Sequence, residues 1–394
     1  MSFPTLSKNV WLLSIAHIFS FAGASVTFFL GGIIGAQLAP SLSWATLPVA
    51  AMVVGTALGT VPAAMVMSKK GRRFGFIGAS IVASGSALVG AFALWHSHFW
   101  LYGLSCLTLG MSYAFVQHYR FAAAESVPIE LAPKAISAIL LSGVAGAFVG
   151  PNVVEYAQNW IPQRAFVGSY LALAGMVAIP AVILLWLKTP QPKQKNVLGQ
   201  GRSIKQLTQN PDFILAVVAA TASYALMVFI MTASPVSMHL MDGHSISHAG
   251  MVIQWHIVGM FLPSLFIGSL ITYYGHRTMM LIGIGALIVC ISVSQVNQSV
   301  AGYWLSLVSL GIGWNFIFVS STSLIITTYQ EAEKYRAQGF NELMVFGAQA
   351  IASLSAGWLL LATSWQTINL MSLPLLGLLL MVIWWSHKKL KQQH

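Results

Sequence analysis

Two histidines and a carboxylate stand inside long apolar stretches of this 394-residue chain: His17, His256 and Glu342. An imidazole changes charge near neutral pH, and burial pushes a carboxyl group up toward the same range. These are therefore the side chains fit to take up and release a proton. Uncharged hydrogen-bonding groups recur in the same kind of stretch: Tyr113, Gln117, Asn152, Tyr224, Gln254, Asn315, Asn341 and Gln349. Trp314, beside Asn315, adds a flat surface on which an aromatic solute can stack. Amides, imidazoles and rings suit a polar or aromatic metabolite; a strongly cationic one would need more acids near the centre. Each group also has a plainer use. A buried imidazole or amide can tie one helix to the next, and Glu342 can pair with Lys334, Arg336 or Arg120.

Such groups need a scaffold that keeps them out of hydrocarbon. Hydrophobic residues make up 57% of the chain and charged residues 7%, against about 25% charged in an ordinary soluble domain. This chain cannot cover itself with a hydrated surface, which excludes a soluble enzyme, a disordered tail and a disulfide scaffold. The two cysteines, Cys106 and Cys290, lie in apolar runs with no metal or disulfide spacing. The fold class is an all-α membrane protein, because a helix of roughly 20 apolar residues crosses a bilayer with its backbone groups satisfied internally. Twelve spans are expected, at 10–35, 45–67, 74–95, 99–120, 135–157, 165–187, 212–234, 248–271, 279–297, 303–326, 337–359 and 365–385. The first is too long for a signal peptide and reads as an uncleaved helix. With the N-terminus taken as cytoplasmic, all of the 19 Lys and Arg except Arg164 fall at the inner side. This bias places both termini in the cytoplasm, and the cell (inner/plasma) membrane is the expected location. The net charge of +11 is spread over many short loops, with no single basic face for nucleic acid.

The polar stretch 188–211 separates an N-terminal six-helix bundle, 1–187, from a C-terminal one, 212–394. The halves echo each other. AMVMSKKGRR, from Ala64 to Arg73, parallels GSLITYYGHR, from Gly268 to Arg277, and GMSYAFV from Gly110 parallels GWNFIFV from Gly313; both offsets are about 204 residues. Similar segments in matching slots point to duplication, an architecture common among secondary transporters.

With these motifs the chain resembles the major facilitator superfamily along its whole length. The family's loop signature after the second helix is Gly-x-x-x-Asp-basic-x-Gly-basic-basic. Lys69, Gly71, Arg72 and Arg73 fit it, while Ala64 and Ser68 replace the Gly and Asp; the second copy keeps Gly268, Gly275 and Arg277 but has Thr272 at the acidic position. Gly146 and Gly150–Pro151 resemble the glycine–proline motif of the family's antiporters, although Val154 and Glu155 stand where Gly-Gly is usual. The fourth-helix arginine of proton-coupled exporters would fall near Cys106. The resemblance implies two pseudo-symmetric bundles, with helices one, four, seven and ten around a cavity and two, five, eight and eleven beside them. The polar groups above all fall on those eight. It also implies a gate in which Arg120 and Glu125 meet the Lys69–Arg73 loop, a matching role for Gly275 and Arg277, and an outer-rim role for Glu155. The Gly146/Gly150 spacing would in any case let helices approach closely.

The expected function is secondary active transport of a small organic solute by alternating access, coupled to protons, with export favoured over import. No cofactor is expected, and the chain should act as a monomer within the lipid bilayer. A P-loop is absent, as are the Gly-x-Ser-x-Gly and His-Glu-x-x-His motifs of an intramembrane enzyme. The tail after about residue 386 is too short for the output domain of a sensor. His244 and His248 have a helical metal spacing but no supporting motif, so no metal is expected.

Overall fold

Long apolar runs broken by short polar turns leave the backbone one way to satisfy itself in lipid, and the computed structural model is accordingly all-helical. It describes residues 6–41, 44, 47–164, 166–188 and 201–391, with no strand among them. Residues 189–200, most of the expected linker, lie outside the described residues.

Two compact units divide the chain. The first gathers Met1–Pro128 and Ala138–Val197. Its helices are α1 (Lys8–Leu38), α2 (Leu47–Lys70), α3 (Arg72–Trp95), α4 (Phe99–Val116), α5 (Tyr119–Ala124), α6 (Ala132–Ala157) and α7 (Val167–Ile183). The second gathers Ile129–Ser137 and Leu198–His394, so the opening turns of α6 cluster with it. It holds α8 (Ile204–Leu207), α9 (Pro211–Val236), α10 (Ile246–Phe261), α11 (Ile267–Tyr274), α12 (His276–Val296), α13 (Val300–Ile326), α14 (Lys334–Ala362), α15 (Trp365–Leu370) and α16 (Leu373–Lys391). Among the described residues, ten helical segments are long and apolar enough to cross a membrane, and the bent pair α10–α11 makes an eleventh. The expected eleventh span, 337–359, falls on α14, which is not among those segments.

Several expected spans are interrupted. The fourth breaks at Gln117–His118 and continues as α5 to Ala124, so Arg120 sits inside helical structure and Glu125 caps its end. The eighth bends by 51° between α10 and α11, where Pro263 lies in a tight turn, cannot donate a backbone hydrogen bond and disrupts the α-helical ladder. Helix α9 ends in a π-turn, Ser237–Met241, just past Pro235. His244 precedes the first turn of α10, so His244 and His248 do not share a helix face.

The duplication is visible in the backbone. Gly71 opens α3 at φ 82°, ψ 162°, and Gly275 opens α12 at φ 83°, ψ 161°. Both fall where essentially only glycine is found. Close approach repeats too. A Cβ on Gly55 would collide with the Leu107 carbonyl oxygen and one on Gly110 with that of Met52, fixing α2 against α4. In the second unit, a Cβ on Gly259 would lie 2.8 Å from Val308 O and one on Gly311 2.6 Å from His256 O, fixing α10 against α13. These contacts pair α2 with α10 at an offset of 204 residues (Gly55 with Gly259), but α4 with α13 at 201 (Gly110 with Gly311). The expected pairing of Gly110 with Gly313 is thus two residues out of register; Gly313 instead meets Gly283 on α12.

Candidate solute and proton site

In the first unit the polar groups collect around His17, on the buried side of α1. Its Nδ1 lies 3.0 Å from Ser142 Oγ on α6. Its ring is flanked by Phe21, at 5.6 Å between centroids, and by Tyr119 at 6.3 Å. Phe21 in turn meets Tyr113 at 6.3 Å, and Tyr119 meets Phe76 at 4.6 Å. Ser20, Ser80, Ser112, Tyr113 and Tyr119 are among the residues around a narrow internal cavity with room for about one water. Gly146 and Gly150 press α6 onto α1: added Cβ atoms would lie 2.7 Å from Ile18 O and 2.6 Å from Ser25 Oγ. The side chains of Pro151 and Glu155 lie outside the described residues. Asn152 is exposed and donates to Phe148 O of its own helix at 2.7 Å.

The loop after α2 is tied down by charge. Buried Arg72 donates from Nε and Nη2 to Glu125 Oε2 and Oε1, at 3.0 and 2.5 Å. Two parallel bonds of this kind need the guanidinium's fork geometry. Lys69 and Arg73 are exposed. Arg120, also buried, donates to Gln117 Oε1 at 3.0 Å across the α4–α5 break. In the second unit Arg277 pairs with Asp212 and donates to Ser386 Oγ at 2.8 Å.

The second unit carries a larger aromatic group. Tyr224 on α9 stands edge-on to Trp314 and Phe318 of α13 and to Phe346 of α14, at 5.2, 4.8 and 5.6 Å. Trp314 stacks on Phe318 at 4.9 Å and meets Phe261 of α10 at 6.0 Å. Trp314, Phe318 and Phe346 are buried, whereas Tyr224 keeps part of its surface. The Trp314 Nε1–H is buried with no hydrogen-bond partner among the described residues. With the 201-residue register, Trp314 occupies the position of Tyr113, as Tyr303 does that of Tyr102. Ser223–Tyr224 likewise parallels Ser20–Phe21 at an offset of 203. An aromatic pair thus joins α1 to α4 in the first unit, Phe21·Tyr113, and α9 to α13 in the second, Tyr224·Trp314.

Other expected site residues serve the helices themselves. Asn315 Nδ2 donates to Met260 O at 2.7 Å and to Ser264 Oγ at 2.8 Å, satisfying a carbonyl next to the α10–α11 bend. His256 sits between α10 and α13 with Nδ1 2.7 Å from Leu307 O, so its partner is a helix backbone; its buried Nε2 has none among the described residues. Asn341 donates to Glu342 Oε1 at 2.8 Å, and both are buried on α14. Gln254 is exposed and Gln349 half-buried. At the outer loop, His239 Nδ1 lies 2.8 Å from His244 O and His244 Nε2 2.8 Å from Gln298 O.

Sequence reasoning missed Phe21, Phe318 and Phe346, which look like ordinary apolar filling, and Arg202 and Glu333. Glu333 accepts from the Arg202 backbone N–H at 2.7 Å and from its Nε at 2.9 Å, docking residues 201–207 onto the start of α14. Hydrogen bonding from Arg202 holds the Glu333 carboxyl down at about 2.

A sequence model described as Major Facilitator Superfamily matches residues 223–393. The riboflavin transporter RfnT of Brucella anthropi is 35% identical over 375 residues, covering 95% of this chain and 94% of that protein. The chain belongs to the major facilitator superfamily. It is a multi-pass membrane transporter of that family with a small-molecule substrate, and not an enzyme. The uncharacterized MFS-type transporter YdeG of Bacillus subtilis is 26% identical over 96% of this chain and 92% of its own length. Among solved structures, the Escherichia coli fucose:proton symporter FucP superposes with a TM-score of 0.74 at 14% identity, covering 96% of this chain and 98% of that one. A human organic anion transporter gives 0.74 at 13% identity, with 97% and 100% covered. At such identities these structures speak for the superfamily fold alone.

Proposed function

We propose that this superfamily member carries riboflavin, or a solute with the same planar, polar heteroaromatic character, by alternating access coupled to protons. The observation that carries the proposal is the aromatic pair present once in each unit, Phe21·Tyr113 and Tyr224·Trp314. A fused-ring solute stacks on such side chains, and stacking is worth about 1–3 kcal/mol per ring. The unpartnered Trp314 N–H supports the same reading, because a buried donor is costly until an acceptor such as a ring carbonyl reaches it. The kinship with a riboflavin transporter points to the same class of solute.

Proton coupling is supported by His17, held on Ser142 among aromatic rings, and by Glu342, buried beside Asn341. The Arg72–Glu125 pair serves as the gate that holds the α2–α3 loop against the end of α5. The likeness of Gly146–Pro151 to an antiporter motif favours exchange, with protons entering as the solute leaves. The positive bias of the loops supports cytoplasmic termini, and α14 serves as the eleventh span in chain order, which completes twelve. Purified protein in liposomes, loaded with riboflavin on one side and then the other under an imposed pH gradient, tests all of this through flavin fluorescence. Absence of flux in both directions rejects the solute class. Flux that ignores the pH gradient rejects the coupling.

A further inference from the structure

A cleft on the surface of the first unit plays no part in this scheme. Helices α2 and α3 diverge from Gly71 and α4 floors the gap, with Pro62 and Val66 on one wall, Phe74 and Val82 on the other, and Met111 and Phe115 beneath. Its volume is about 400 Å³. From Phe74 to Val82 the wall runs about 12 Å along α3. Phe74 and Val82 are more than half exposed on a membrane-spanning helix, so acyl chains rather than water meet them. Gly78 keeps the cleft open: a Cβ there would meet nothing within 4 Å, so its small size serves no helix contact.

At the Gly71 end the chemistry changes. Lys69, Lys70 and Arg73 are exposed at the mouth. Lys70 Nζ lies 4.6 Å from the centroid of the Phe74 ring, placing an ammonium directly over a residue that lines the cleft. Glu125, the acid that reaches this loop, is engaged by Arg72 in a two-bond pair. An apolar slot that ends under a cluster of cations matches a lipid with an anionic headgroup, and a zwitterionic one fits the charge less well.

We propose that this cleft binds one anionic phospholipid of the surrounding bilayer, with an acyl chain between α2 and α3 and its phosphate held by Lys70, assisted by Lys69 and Arg73. The headgroup then braces the loop whose Arg72 holds Glu125.

The test uses the full chain reconstituted in bilayers of equal parts phosphatidylcholine and phosphatidylglycerol, extracted gently and weighed intact by native mass spectrometry. The wild type retains one phosphatidylglycerol in preference to phosphatidylcholine. Gly78→Leu fills the slot from a position whose Cβ meets nothing within 4 Å and removes a helix-interior glycine, so it folds and loses the bound lipid of either kind. Val82→Trp fills the slot from the other end and gives the same loss should Gly78→Leu express poorly. Lys70→Gln keeps the slot and lowers the preference for phosphatidylglycerol about fivefold, the effect of one basic contact at a membrane surface. Equal retention of the two lipids by the wild type, or undiminished retention by both slot-filling variants, overturns the proposal.

Discussion

Tyr224→Ala is the most informative single change. Tyr224 is the partly exposed member of the aromatic group in the second unit, backed by Trp314, Phe318 and Phe346 within 5.6 Å between ring centroids. Removing its ring takes away the accessible stacking face while leaving the buried rings behind it. Loss of one stacking partner, about 1–3 kcal/mol, raises the riboflavin concentration for half-maximal transport roughly 5- to 150-fold. Tyr224→Phe keeps the ring, and its half-maximal concentration stays within about twofold, well under 1 kcal/mol. The assay is concentration-dependent flavin flux into proteoliposomes. A thermal melt of each variant accompanies it, because three edge-to-face contacts, each about 0.5–1.5 kcal/mol, also support the fold. Normalising flux to folded protein separates the two effects, since a stability defect lowers the amount of active carrier without moving the half-maximal concentration. An unchanged half-maximal concentration in Tyr224→Ala refutes the stacking argument and, with it, the heteroaromatic solute.

Glu125→Gln removes the charge facing Arg72 and lowers stability by about 2 kcal/mol, read as a drop in melting temperature. Arg72→Lys does not restore the loss, because an ammonium cannot make the same two parallel bonds. Gly275→Ala costs about 1–3 kcal/mol from backbone conformation alone, since its Cβ would meet nothing within 4 Å. Gly275→Asn should rescue little at this φ and ψ, and a melt as high as wild type for either would contradict the assignment. Gly110→Ala forces α2 and α4 apart and is the most damaging of the set, visible as loss of monodisperse protein after extraction. For Glu333, the folded carboxyl titrates at about 2 instead of its ordinary 4.5. Its stabilising pair is therefore complete above pH 4.5 and is lost as pH falls toward 2. Hydrogen exchange at residues 201–207 should stay protected from neutral pH down to that window, and Arg202→Gln should expose them at neutral pH.

Much of the architecture follows from local sequence alone. Apolar runs of bilayer length force helices, because lipid offers no other partner to the backbone. Gly71 and Gly275 mark matching helix starts by a conformation other residues avoid, and the basic loops assign a side. Those are properties of each segment by itself. The register between α4 and α13 is not. Gly110 and Gly313 match best as letters, yet backbone contact pairs Gly110 with Gly311, and only that register brings Tyr113 and Trp314 into equivalence. The same holds for the polar groups. Polarity within an apolar run is legible, but whether a side chain meets another helix or keeps an open face depends on what packs beside it. Asn315 and His256 spend hydrogen bonds on α10 and α13 backbone carbonyls, whereas Tyr224, read from the sequence as the same kind of candidate, becomes the partly exposed ring of an aromatic wall. Hydropathy and helix period are short-range and so can be read along the chain. Tertiary packing alone decides which rings share a wall and which carbonyls a bend leaves open, because it joins residues 51 (His256 and Leu307) to 122 (Tyr224 and Phe346) positions apart.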